Sequence, residues 1–258
     1  MDALRAVQGH AVSRLEAVRP LSELVLPDRT KRGLQSILTR MADPEHTERH
    51  GGTLPTGVLF SGPPGTGKTA TAKALAKELD WTFLPTTGAE LSRDVGALRR
   101  LQAKAQELRP AIIFLDEADE LLRHRELSAA TEASNKLLTI MDGAGDRVRD
   151  VVWIAATNHV EQIDPAFLRG GRFSEKLAFE LPSRDAVAMH LAGWMRTKRV
   201  LLEPSFEVAG LVELLGQTSI ADVEAVAQAA LNVAIGRGDT PVILTRQDVL
   251  HAIELVLG

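Results

Sequence analysis

Cysteine is absent from this 258-residue chain, which excludes disulfides and thiolate metal sites and is compatible with a reducing compartment. Tyrosine is absent as well, and aromatics total only 4% of the residues, which disfavours the base-stacking platforms of single-strand nucleic-acid binders. No apolar run approaches the roughly 20 residues that a membrane span requires. The opening MDALRAVQGH lacks a basic start followed by an apolar stretch, so no secretion leader is expected and a cytoplasmic location is. Charge of one sign does not dominate either. The net charge of -4 gives no general attraction to nucleic acid, leaving only a local basic patch as a route to it. No repeat or low-complexity tract is visible. What remains is an ordinary globular composition, 45% hydrophobic and 25% charged, in a chain long enough for one large domain or for a core domain with a small satellite.

The order of patterns along the chain points to an α/β fold. Residues 1–19 have partly helical apolar spacing through Leu4, Val7, Val12, Leu15 and Val18, ended by Pro20. Leu21–Pro27 reads as an extended entry, Asp28–Met41 as a helix, and Pro44–Pro55 as loop. Five apolar strand candidates follow: Val58–Ser61, Thr82–Pro85, Ile112–Asp116, Val151–Thr157 and Lys176–Glu180. Helical stretches alternate with them at Thr66–Leu79, Val95–Leu108, Ala130–Asp142 and Pro165–Leu168, the pattern of a parallel sheet covered on both faces. After Pro182 only helices are expected, at Ser183–Lys198, Phe206–Leu215, Ala221–Ile235 and Arg246–Val256. Thr245 followed by Asp248 is a start signal for the last one. The division expected is an N-terminal helix and linker over 1–20, a nucleotide-binding α/β domain over 21–182, and a helical domain over 183–258.

Four segments carry chemistry. Gly62, Pro63, Pro64, Gly65, Thr66, Gly67, Lys68 and Thr69 spell G-x-x-x-x-G-K-T between a strand and a helix. Glycines there let backbone N–H groups turn inward onto phosphate at a helix N-terminus. Lys68 supplies a point charge for the β- and γ-phosphates, and the Thr69 hydroxyl is a Mg²⁺ ligand. The strand Ile112–Leu115 ends in Asp116 and Glu117, placing two carboxylates where ligands sit in open α/β sheets. Asp116 is the candidate to hold Mg²⁺, Glu117 the candidate to orient or deprotonate the attacking water. Asn158 closes the strand Val151–Thr157, either as a turn residue or as a neutral partner for that water. Arg169 and Arg172, spaced by two glycines, are either a solvated surface pair or arginine fingers for a neighbouring subunit's nucleotide. Spacing alone leaves both open.

In this order the segments resemble the AAA+ superfamily, and the AAA family proper, over about residues 20–257. Gly62–Thr69 resembles Walker A, Ile112–Glu117 Walker B, and Ala155–Asn158 the sensor 1 strand. Ile163–Phe173 is similar to the second region of homology, and Ser219, Ala221 and Asp222 to the start of a lid helix. The resemblance implies a P-loop NTPase fold with a five-stranded parallel sheet, helices on both faces and a small α-helical lid. It implies ATP and Mg²⁺ as cofactors, with the adenine near Leu24–Leu26 and Ser219–Ala221. It also implies a self-assembled ring, hexameric in the family, with Arg169 and Arg172 as fingers and a protein client to remodel.

The chain departs from the family pattern in places. The pore-loop aromatic is missing from Gly88–Gly96, which is several residues short and has Asp94 at or near its place. An acidic side chain grips an unfolded polypeptide poorly, so strong threading through a pore is not expected. Ile220 stands where glycine is usual, Ser174 where aspartate is, and Ala221 where other branches carry an arginine. Two alternatives are an ATP-dependent assembly switch and a nucleic-acid-associated ATPase. Asp116–Asp119 spells a helicase tetrad, but that helicase family needs a second motor domain for which the chain has no room.

Overall fold

The computed structural model describes residues 15, 17–123, 131–142, 150–238 and 241–258. The helix expected over 1–19 rests on Leu4, Val7 and Val12, which lie outside the described residues, as does Ala130.

Five strands form one parallel sheet: β1 (Gly57–Ser61), β2 (Thr82–Thr87), β3 (Ala111–Asp116), β4 (Val151–Thr157) and β5 (Glu175–Ala178). Their order across the sheet is β2-β3-β4-β1-β5. Inserting β4 between β1 and β3 sets the carboxyl ends of these three strands side by side. Such a reversal of strand order is where open α/β sheets open a crevice for ligands. Alternate residues Leu59, Leu84, Ile113, Leu115, Trp153 and Ala155 share a core cluster with Leu91, Leu98, Leu101 and Leu137. The intervening Val58, Phe60, Phe83, Ile112, Phe114 and Ile154 are buried too. Side chains alternate across a strand, so burial of both sets means both faces of the sheet are covered.

The helices of this part are α1 (Asp28–Ala42), α2 (Pro44–Arg49), α3 (Lys68–Leu79), α4 (Gly88–Arg93), α5 (Val95–Glu107), α6 (Asp119–Leu122), α7 (Thr131–Met141) and α8 (Pro165–Leu168). Several differ from what the sequence patterns predict. Pro44–Arg49, expected as loop, is helical, because Asp43 Oδ1 accepts from His46 N–H (2.9 Å) and Pro44 occupies the first turn. Leu21–Glu23 is a 3-10 turn within the segment read as extended. α3 begins at Lys68, two residues later than expected, because Gly67 has φ +93, outside the helical region. β2 runs on to Thr87, and β5 sits slightly earlier than predicted. The stretch Gly88–Gly96 contains α4, ended at Asp94, whose Oδ1 accepts from Gly96 N–H (2.8 Å) to start α5.

The described residues divide into two compact units, the first running to Leu24 and then over Asp28–Gly62 and Lys68–Phe179, the second over Val25–Pro27, Pro63–Gly67 and Glu180–Gly258. In the second, α9 (Arg184–Lys198), α10 (Val208–Leu215), α11 (Ile220–Gly236) and α12 (Arg246–Val256) enclose a core that includes Val187, Leu191, Leu211, Val223, Ala230 and Val249. The starts of α9, α11 and α12 are capped by Ser183, Ser219 and Thr245, and Thr245 with Asp248 forms a reciprocal capping box. Two short parallel strands, β6 (Leu201–Leu202) and β7 (Ile243–Leu244), pair where only helices were expected. At two residues each they are too short for any apolar period to reveal.

Candidate functional site

In the sheet unit, β1 delivers the chain to Gly62, whose N–H donates to the Thr157 carbonyl (3.2 Å). Gly62 has φ +145, and a Cβ there would overlap the Phe179 carbonyl oxygen, so only glycine fits this turn. Lys68, the first residue of α3, sends Nζ back to the Gly62 carbonyl (2.6 Å) and across to Asn158 Oδ1 (2.8 Å). Burial lowers the Lys68 pKa, and the charge on Asp116 opposes that shift. Thr69 Oγ1 donates to Asp116 Oδ2 (3.0 Å), while Asp116 Oδ1 accepts from Glu117 N–H (3.0 Å). The fold thus gathers Lys68, Thr69, Asp116 and Asn158 from three strand ends.

Glu117 follows in a left-handed conformation, φ +49, which a non-glycine residue adopts at some cost. It is exposed, and its carboxylate has no hydrogen-bond partner among the described residues. Asn158 therefore meets Lys68 and not Glu117. Sequence reasoning missed Asp119. It is 7% exposed, and its Oδ1 accepts from the Thr157 hydroxyl (2.7 Å), which in turn accepts from His159 N–H (2.9 Å). This buried brace fixes the backbone on both sides of Asn158. The only local signal was the acidic tetrad Asp116–Asp119, which has the right residues but gave no indication of their partner.

Within the second unit, the loop Pro63–Gly67 is shaped by Thr66 Oγ1 donating to the Pro63 carbonyl (2.8 Å) and by Gly65 (φ +72) and Gly67 (φ +93). The Ala221 N–H, in the first turn of α11, donates to the Gly65 carbonyl (3.4 Å), and a Cβ on Gly65 would overlap Ser219 Oγ. Ile220, where glycine is usual, opens α11 and packs against the helical core.

These residues fit a triphosphate with magnesium. At Gly67 (φ +93) an added Cβ would meet nothing nearer than 3.9 Å, so the loop backbone is open there to the close approach that phosphate binding through N–H groups requires. The Thr69 hydroxyl and Asp116 carboxylate are hard oxygen donors, and Lys68 stands beside them with a cationic head. Among the described residues, no three His, Asp or Glu side chains are grouped as a metal site. Mg²⁺ needs no such cage, since it takes one or two protein oxygens and fills the rest from phosphate and water.

The two arginines after α8 differ in their surroundings. Arg169 is exposed and has no side-chain partner among the described residues. Arg172 is ion-paired with Asp142, through Nε to Oδ1 (2.5 Å) and Nη2 to Oδ2 (2.8 Å), and its Nη1 donates to the Ala166 carbonyl. Neither is among the groups gathered around Lys68.

Residues 58–181 match the family described as ATPase family associated with various cellular activities (AAA). The chain belongs to the AAA family. ATP and Mg²⁺ are the cofactors of this AAA domain, and ATP hydrolysis is its activity. Among curated relatives, the chain is 36% identical over 256 residues to ATP-dependent zinc metalloprotease FtsH 2 of Sphaerobacter thermophilus, covering 94% of the chain and 38% of that protein. FtsH 1 of Symbiobacterium thermophilum is 36% identical over 231 residues, covering 81% of the chain and 39% of the relative. FtsH 3 of Sphaerobacter thermophilus is 36% identical over 237 residues, covering 88% and 47%. The AAA chain spans less than half the length of these relatives.

Proposed function

We propose that this AAA chain binds Mg-ATP on the Gly62–Thr69 loop and hydrolyses it as an oligomer to remodel a protein client. The observation that carries this reading is the meeting of Lys68, Thr69, Asp116 and Asn158 at the carboxyl ends of β1, β3 and β4. A bound Mg²⁺ would supply neutralisation of the charge that develops on the phosphoryl group. Thr69 and Asp116 would hold that ion, and Lys68, now on the Gly62 carbonyl and Asn158, would turn to the phosphate oxygens. Asn158, released from Lys68, is then a neutral partner for the attacking water. Glu117, exposed and with no partner for its carboxylate among the described residues, would take the proton from that water or orient it.

A client of protein nature is supported by the relatives, whose names describe ATP-dependent proteases. Zinc proteolysis is not carried over with it. A hexameric ring is proposed on the family resemblance, with Arg169 offered to the nucleotide of the next copy. Action by conformational switching, without strong threading, is supported by Asp94. Its carboxylate caps α5 and pairs with Arg100 Nη2 (2.6 Å) at or near the place where a threading motor would present an aromatic ring.

The test is Glu117→Gln. Mg-ATP affinity should stay within a few-fold of the native chain while kcat falls by about 10²–10⁴-fold, the range for loss of a general base. The locked, ATP-loaded variant should retain its client in a pull-down. Native turnover in Glu117→Gln would refute the assignment of that carboxylate.

A further inference from the structure

We infer that Asp142 is a positioning residue: it holds Arg172 in cis as a strut and leaves Arg169 as the single arginine offered to a neighbouring copy. The inference rests on the reading that hydrolysis is completed across subunits, and it departs from the expectation that both arginines are fingers.

The guanidinium of Arg172 is committed within its own chain. Nε and Nη2 meet the two oxygens of Asp142 fork-on-fork, and Nη1 donates to the carbonyl of Ala166 in α8. Planar bidentate pairing of this kind is the strong form of an arginine–carboxylate bond. The Arg172 side chain is only 21% exposed. Its hydrogen bond to Asp142 raises the arginine's pKa and lowers the carboxyl's, so the pair stays ionised across the neutral range.

The strut has something to support. Gly170 and Gly171 both have positive φ, +66 and +76, and added Cβ atoms would meet nothing within 4 Å at either. Gly170 and Gly171 thus face open space, and the turn that carries Arg169 is held from its two ends, with Lys176 Nζ also donating to the Leu168 carbonyl (3.0 Å). One end is the buried Phe167; the other is Arg172 with the buried Phe173. At that second end the backbone is wedged. A Cβ on Gly57 would lie 2.7 Å from both Met141 Cε and Phe173 Cδ1, and 2.9 Å from the Arg172 carbonyl oxygen. Asp142 follows Met141 directly, so the pair fastens the end of α7 to the turn at the point where both press on the start of β1. Removing Asp142 frees the guanidinium and loosens the turn bearing Arg169.

The experiment measures ATP turnover at saturating protein and Mg-ATP, with nucleotide affinity and urea midpoints alongside. Arg169→Ala should lower kcat by about 10³-fold or more, as loss of a finger does. Asp142→Asn and Arg172→Ala should each lower it by a common factor on the order of 10²-fold, as misplacement of a catalytic group does, with nucleotide affinity unchanged. The exchange Asp142→Arg with Arg172→Asp should recover much of the loss, since it rebuilds the strut. Arg172→Asp cannot serve as a finger, so an exchanged chain with its urea midpoint restored but no turnover overturns the inference. Native or faster turnover in Asp142→Asn beside an inactive Arg172→Ala overturns it too, because the freed arginine would then be the finger. Failure of the underlying reading has a different signature: Arg169→Ala turns over like the native chain at every concentration.

Discussion

Lys68 carries its charge in a place that does not favour it. Burial lowers its pKa from the ordinary 10.5, and the attraction of Asp116 restores only part. For a base whose folded pKa is depressed, the unfolded chain binds the proton more readily. The charged form therefore costs the folded state stability below the folded pKa, and the cost is relieved as pH rises through that value toward 10.5. A polyphosphate relieves the same cost at neutral pH. Mg-ATP at a hundred times its Kd should accordingly stabilise the native chain by about 2.7 kcal/mol. Lys68→Met should lose that increment in urea titrations while still folding. A full ATP-induced shift in Lys68→Met would show that the phosphates bind elsewhere. At this scale, the residues of the loop and the Asp116–Glu117 pair were legible because their spacing is local. Asp119 and Asp142 were not. Their partners, Thr157 and Arg172, stand 38 and 30 residues away, and nothing near either aspartate announces them.

Elements read from period alone came out where the period was long and strong. The strands β3 and β4 are continuous apolar runs, and α12 follows its Thr245 signal to the residue. α2 was lost because a six-residue helix held by one cap and a proline has no apolar face to display. The capping box of α12 also does more than start a helix. Asp248 is buried, which by itself raises its pKa, but hydrogen bonds from Arg237 and Thr245 outweigh the burial and lower it below 3.8. A carboxylate with a depressed folded pKa contributes stability above its unfolded pKa and loses it as pH falls through the folded one. Asp248→Asn should thus destabilise the helical unit at neutral pH by about 1–2 kcal/mol, the worth of a cap and a charge-assisted bond. It should also flatten the acid limb of the stability profile below about pH 4, where the native carboxylate would be gaining its proton. An acid limb of unchanged steepness in the variant would place the effect in other carboxylates.

At the scale of the whole molecule, the exposed Arg169 and a Lys68 whose ammonium reaches the Gly62 carbonyl and Asn158 pose a common question. A loop that holds a triphosphate with one lysine and one metal leaves transition-state charge on the γ-phosphoryl unmatched, and an arginine from outside is the usual remedy. On the proposed reading that arginine comes from a second copy of the chain; the glycine-spaced pair Arg169 and Arg172 hinted at it, but the spacing left a solvated surface pair equally open. If Arg169 is that outside arginine, turnover per chain should climb with protein concentration as copies assemble and then level off. Lys68→Ala has an intact Arg169 but no working loop; Arg169→Ala has the loop but no finger. Each alone should be inactive, and an equimolar mixture should regain turnover, since a copy of the first can serve the nucleotide of the second. Silence from the mixture under conditions where the two variants co-assemble would locate the missing charge within the chain itself.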